Sequence, residues 1–256
     1  MIAMDNVKQN AMQNNTQHFD VIISGGGLSG SLMALSLSQL LKTDGSALSI
    51  AIVEALPYQQ TNSSQDNALF DARVLALSHG SASYLNKVGA WQYLQDDACA
   101  ITKIDISDRG HFAKARLNAD EHNVNALGYV IDMALIGKAQ LKALSTSSNI
   151  HWFSPDSIEH VEWSSESQGE GIANSEHVSV NLNSGKSLSA SLLLACDGVQ
   201  SPLRKLAKID VTCDDYKQVA LIANVSTSKA HEHKAFERFT EFGPIAMLPL
   251  NSVATQ

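Results

Sequence analysis

Three glycines, in the order Gly25-x-Gly27-x-x-Gly30, stand between a short apolar run, Phe19 to Ser24 (FDVIIS), and a leucine-rich stretch, Leu28 to Leu41. A glycine loop that follows a strand and opens a helix is suited to a dinucleotide pyrophosphate. The first glycine permits a tight turn, the second lets the backbone approach the phosphates, and the third lets helix and strand pack closely. The helix start adds free N–H groups and a partial positive charge. Glu54 closes the next apolar run, Ser49 to Glu54 (SIAIVE), where a carboxylate can accept hydrogen bonds from an adenosine ribose. The plain alternative is a glycine-rich loop with no ligand.

A second candidate segment is Asp197-Gly198-Val199-Gln200-Ser201-Pro202-Leu203-Arg204, which follows the apolar run Leu188 to Cys196. Pro202 stands near the first position of a helix. Alone, Asp-Gly would mean only a turn. After a strand, in a chain that already carries a dinucleotide loop, it means more. Arg204 reads equally well as a helix-surface charge. His231-Glu232-His233 would place two imidazoles on one side of a strand, but no third ligand is apparent. A solvated loop is expected there, and no metal. Arg109 and His111 either face a substrate or end a strand in solvent, and Trp91, Trp152 and Trp163 read as core or interface aromatics. No side chain declares itself as a catalytic base, and none is nominated.

The elements that must position these residues are legible in part. Phe19–Ser24, a helix over Leu28–Leu41 and Ser49–Glu54 make a βαβ unit with parallel strands. Residues 56–70 read as a loop, Ser78–Val88 as a helix stopped by Gly89, and Ile101–Ser107 as a half-exposed strand. Asp132 caps a helix running to about Leu144. Ile158–Trp163 and His177–Leu182 read as strands joined by the Ser/Glu/Gly-rich residues 164–176. Asn183-Ser184-Gly185-Lys186 turns the chain into the strand Leu188–Cys196.

Composition narrows the function classes. The chain has 256 residues, 44% hydrophobic and 17% charged, with a formal charge of 18 − 26 = −8. That acidic balance argues against a sequence-independent nucleic-acid binder, and no basic run reads as a membrane anchor. Cys99, Cys196 and Cys213 are too few and too scattered for a disulfide framework, which fits a reducing cytoplasm. Residues 1–18 are polar, without the apolar stretch of a signal peptide, and read as a disordered lead. No apolar run approaches the ~20 residues of a membrane span.

With both motifs in place the chain resembles the class A flavoprotein monooxygenases. Further stretches sharpen the resemblance: DARVLALSHGS (Asp71 to Ser81), VGAW (Val88 to Trp91), ISDRGH (Ile106 to His111), LGYVID (Leu127 to Asp132) and AFERFTEFGPIAMLPL (Ala235 to Leu250). These look like the ubiquinone-biosynthesis hydroxylases, most of all those acting on 2-polyprenyl-6-methoxyphenol. The resemblance implies an α/β fold: a Rossmann-like FAD-binding domain of the p-hydroxybenzoate-hydroxylase type over residues 19–205, with substrate-side segments near 100–128. An incomplete mixed β-sheet substrate domain would begin at 206–256. Gly25, Gly27 and Gly30 would hold the FAD pyrophosphate and Glu54 the adenosine ribose. Arg73 would approach the flavin side, although a surface arginine after a loop is its alternative. Asp197 and Gly198 match a motif associated with both FAD and NAD(P)H.

The implied reaction uses NAD(P)H to reduce the flavin and O2 to hydroxylate an electron-rich phenol ring. Implied partners are a polyprenyl phenol, peripheral contact with the inner membrane, and other ubiquinone-biosynthesis proteins. Two other readings stay open: a related flavin hydroxylase of another ring position, and a nucleotide-binding fragment that catalyses nothing. The family's third motif begins with Gly-Asp, a dipeptide that does not occur in this sequence. The expectation is an N-terminal portion of a longer protein, not competent in hydroxylation by itself.

Overall fold

The structure is a computed structural model that describes residues 16–58, 73–163 and 177–251. In chain order its first elements are β1 (Gln17–Ser24), α1 (Leu28–Ser38), β2 (Ile50–Val53), β3 (Val74–Ser78), α2 (His79–Lys87), β4 (Cys99–Ile101), β5 (Lys103–Asp108), β6 (Lys114–Asn118) and β7 (Gly128–Asp132). There follow α3 (Met133–Leu144), β8 (Ile150–Phe153), β9 (Ile158–Glu162), β10 (Val178–Leu182), β11 (Ser187–Ala195), α4 (Pro202–Leu206), β12 (Lys234–Phe239) and β13 (Ile245–Met247). The chain divides into two compact units, 1–69 with 144–210 and 70–143 with 211–256.

The first unit is built on a six-stranded sheet in the order β8-β2-β1-β11-β10-β9. Strands β8, β2, β1 and β11 are parallel, as the βαβ reading requires, and β10 and β9 continue the sheet antiparallel. β2 and residues 21–24 of β1 are buried, which is why they read as unbroken apolar runs. Ile22, Ile23, Ile50, Ala51 and Ile52 are fully buried, and Phe19, Val53, Phe153, Val180 and Leu188 pack with Ile22 and Ala51 in one cluster. The turn at 183–186 forms as expected: Gly185 takes φ +83, and Leu182 N donates to Lys186 O at 2.9 Å.

Two boundaries move. β1 begins at Gln17, inside the polar lead, because Gln17 and His18 pair with Leu188 and Ser189 of β11. Backbone pairing there does not depend on apolar side chains. Helix α1 ends at Ser38 instead of Leu41. Lys42 leaves the helical path to form a turn with Ser46 and an ion pair with Asp20, and Leu40 and Leu41 stay exposed. The expected loops at 59–70 and 164–176, and residues 1–15 of the lead, lie outside the described residues.

Asp20 ties the start of β2 to β1. Its carboxylate accepts from Ser49 N at 2.7 Å and from Lys42 Nζ at 3.2 Å. Burial raises its pKa, but the Ser49 amide and then Lys42 more than offset this, so the carboxyl titrates below its ordinary value. A carboxylate with a depressed folded-state pKa adds stability that is complete above the unfolded value and lost as pH falls through the folded one. Asp20→Asn is therefore expected to lower the urea midpoint at about pH 6 and to match the wild type once pH falls well below about 4. An equal gap at both pH values in paired urea titrations would refute the assignment.

The second unit holds a four-stranded sheet, β13-β12-β5-β6, and a three-stranded sheet, β3-β7-β4. The single strand expected over Ile101–Ser107 is instead two, broken at Thr102. β4 belongs to one sheet and β5 to the other. Thr102 is the crossing point: its N–H donates to His233 O at 2.9 Å and its carbonyl accepts from Ala119 N. The cap expected at Asp132 forms, and Ser78, read as the first residue of a helix, instead caps α2. Ser78 Oγ accepts from Ser81 N at the start of α2, and Asp132 Oδ1 from Ala134 N at the start of α3. Cys99, Ile101, Val130 and Ala235 make the core between these strands.

Candidate functional site

Three parallel strands of the first unit end side by side. Gly25 follows β1, Glu54 follows β2, and Cys196 and Asp197 follow β11. Gly25 N donates to Val53 O at 2.8 Å and Cys196 N to Ser24 O at 2.7 Å, so the three ends are held in register past the strands themselves. A cleft of about 330 Å³ opens at these carboxyl ends, where open α/β sheets place their ligands. Gly25, Gly27, Glu54, Asp197 and Gly198 all line it.

The glycines differ in what they accommodate. Gly25 has φ +96, and a Cβ there would lie 2.4 Å from Cys196 O. Gly30 is buried in α1, and its Cβ would lie 1.9 Å from Gly25 O. Gly27 has nothing within 4 Å of its Cβ position and caps the start of α1. The first and third glycines thus allow the loop to close on itself. The second leaves space in the cleft.

Glu54 is engaged with the loop. Its Oε2 accepts from Gly26 N at 2.6 Å and its Oε1 from Leu56 N at 2.8 Å. A carboxylate has about four acceptor positions, so it can hold these two and still take a hydroxyl. Asp197 Oδ2 accepts from Leu203 N at the start of α4, while its Oδ1 is buried with no partner among the described residues. A buried acceptor left in that state is costly, and a hydroxyl donor from a ligand in the cleft would satisfy it. Burial, and then the Asp197 charge, push the Cys196 thiol up, so it lines the cleft as a neutral group. Asp156, a lining residue that sequence reading missed, accepts from Ser157 N and Ser184 N; the only local signal was the turn-like Pro155-Asp156-Ser157.

Lined by Glu54, Asp156 and Asp197 and, among the described residues, by no lysine or arginine, the cleft is rich in acceptors. It favours a polyhydroxylated ligand over a free anion, with phosphate contact confined to backbone and helix start. A flavin adenine dinucleotide has both features, and the open Gly27 side and the orphaned Asp197 oxygen fit it.

Other candidates lie elsewhere. Arg73 belongs to the second unit, where its carbonyl accepts from Met133 N. Arg204 sits on α4 with a buried Nε that has no partner among the described residues, so it is not a free surface charge. Arg109 pairs with Glu241 and His111 with Asp108, all exposed and in the second unit. Trp152 stacks on Tyr58 at 4.1 Å and packs behind Gly26, Trp91 meets Tyr129 edge-on, and Trp163 is half exposed.

The chain matches no protein-family profile. It is 30% identical over 238 residues to the mitochondrial ubiquinone biosynthesis monooxygenase COQ6 of Mus musculus, covering 91% of this chain and 48% of that protein. The Danio rerio counterpart is 30% identical over 259 residues, covering 95% and 49%. The chain thus spans about half the length of the curated relatives it matches. Among solved structures it resembles the p-nitrophenol 4-monooxygenase of Pseudomonas putida, with TM-score 0.55 and 16% identity over 75% of this chain and 44% of that one. It also resembles the flavin-dependent monooxygenase PieE, solved with FAD and substrate, with TM-score 0.54 and 13% identity over 75% and 32%. The mixed α/β fold is that of these monooxygenases, Rossmann-like around β1 and α1.

Proposed function

From a chain whose curated relatives are ubiquinone biosynthesis monooxygenases, we propose that it forms the FAD-binding portion of a monooxygenase hydroxylating a polyprenylated methoxyphenol, with NAD(P)H and O2 as co-substrates. The observation that carries this reading is the acceptor-rich cleft at the ends of β1, β2 and β11. Gly25, Gly27 and Gly30 would let the pyrophosphate reach the start of α1. Glu54 would accept from the adenosine ribose while bracing the loop, and Asp197, set by Gly198, would offer its Oδ1 to a further hydroxyl. Arg73 is assigned to the flavin side on the family resemblance. When bound, FAD supplies the electron transfer and oxygen activation. The protein's part is to bind, orient and exclude water.

Among the described residues no helix is long and apolar enough to cross a membrane. On the family resemblance, access to a lipid-tailed phenol is proposed to be peripheral, at the inner membrane and beside other proteins of the pathway. The test has two parts. The chain should quench flavin fluorescence at one FAD per protein. Continued to the relatives' full length, it should form hydroxylated phenol in step with NAD(P)H consumed. Failure to bind FAD would remove the reading. Product at a different ring position would move it to another hydroxylase of the family.

A further inference from the structure

We propose that Cys99, His231 and His233 form a zinc-type metal site that fastens the entry of β12 to the start of β4. The sequence shows only the two histidines; the fold brings the third side chain. Ligand atoms of all three lie within 4.8 Å of one another. Cys99 opens β4 and is fully buried, while both histidines are exposed. The histidines occupy a tight turn in the exposed loop expected for them, closed by Lys234 N donating to His231 O at 2.9 Å.

That turn is strained. Glu232 and His233 have φ of 50° and 55°, left-handed values that non-glycine residues hold only where the surroundings over-determine them. Its effect is to set the two imidazoles edge-on, centroids 5.2 Å apart. His233 is already oriented as a ligand. Its Nδ1 lies 3.1 Å from Ala100 O, an acceptor, so Nδ1 carries the proton and Nε2 keeps its lone pair. A backbone carbonyl that fixes a tautomer in this way is a usual outer partner of a metal-binding histidine. His231 Nδ1 accepts from His233 N at 3.0 Å. Metal binding through either nitrogen of that ring ends this bond, a modest cost beside the bond gained.

One thiolate and two imidazoles suit a borderline-soft divalent cation, and three protein ligands leave a fourth tetrahedral position to water. Ligand atoms around tetrahedral zinc stand about 3.5 Å apart, so the group must tighten slightly, which the exposed His231 side chain permits. The consequence is structural. Residues 211–230 carry no strand or helix, and the site would anchor their far end where His233 O already accepts from Thr102 N.

The experiment titrates the metal-free 256-residue chain with Co2+ and then Zn2+. One equivalent of Co2+ should give thiolate-to-cobalt charge-transfer absorption, displaced by Zn2+, and Zn2+ should raise the melting temperature. Both effects should vanish in His231→Ala, an exposed change that leaves the core intact, and in Cys99→Ser, and should persist in Cys213→Ser. Absence of stoichiometric binding, a cobalt complex without sulfur character, or a band that survives His231→Ala would overturn the site.

Discussion

Gly30→Ala is expected to lower the melting temperature by up to about 12 °C and to abolish FAD retention. The added Cβ would lie 1.9 Å from Gly25 O, a backbone atom that cannot turn aside. Relieving the overlap means moving α1 off the loop or opening the turn at Gly25, whose own Cβ position is closed by Cys196 O at 2.4 Å. Overpacking of this kind costs up to about 3 kcal/mol, and each kcal/mol shifts a chain of this size by roughly 2–4 °C. The informative partner is Gly27→Val. Nothing lies within 4 Å of that Cβ position, so the isolated chain should lose at most the ~1 kcal/mol by which valine is the poorer helix cap. Its side chain would nevertheless fill the space through which a pyrophosphate approaches. Thermal melts with and without FAD separate the two. Gly30→Ala should melt low in both, and Gly27→Val should melt near the wild type without FAD and gain nothing when it is added. Stoichiometric FAD on Gly27→Val would show that the dinucleotide does not pass this glycine.

Glu54→Gln is expected to weaken FAD binding about tenfold or more and also to destabilise the empty chain. The carboxylate accepts from Gly26 N and Leu56 N at once. The amide keeps one acceptor, so one backbone N–H meets an NH2 group instead. Losing one charge-assisted hydrogen bond costs about 1.5–3 kcal/mol, and 1.4 kcal/mol is a factor of ten in affinity. The structure changes the meaning of this experiment. A loss of affinity alone would point to ribose contact. A matched loss of stability would mean that Glu54 acts mainly by holding the glycine loop. Isothermal titration beside urea unfolding distinguishes them, and unchanged values in both would show that the two short hydrogen bonds contribute nothing.

The first unit was largely legible because its signals are local. FDVIIS and SIAIVE are buried on both faces and read as strands in any context, and the glycine loop, the turn at Gly185 and Pro202 at the start of α4 obey rules spanning a few residues. The second unit was less so. β6 and β13 are short and largely exposed, and β3 has no fully buried residue, so none carries a strand signature apart from its partner. The break at Thr102 depends on His233, brought beside it by the parallel pairing of β12 with β5.

The residue types and their order settled the βαβ unit, the glycine loop between β1 and α1 and the carboxylates at the strand ends beside it, since helix starts, tight turns and apolar burial are decided by neighbours in the chain. Folding alone settled the use each group is put to. Glu54 spends two acceptor positions on the loop, Asp197 keeps one buried oxygen without a donor, Asp156 joins the cleft, and Cys99 meets His231 and His233. These are distances between strand ends and turns far apart in sequence. They are set by sheet register and by the packing of side chains between layers, which no local pattern encodes.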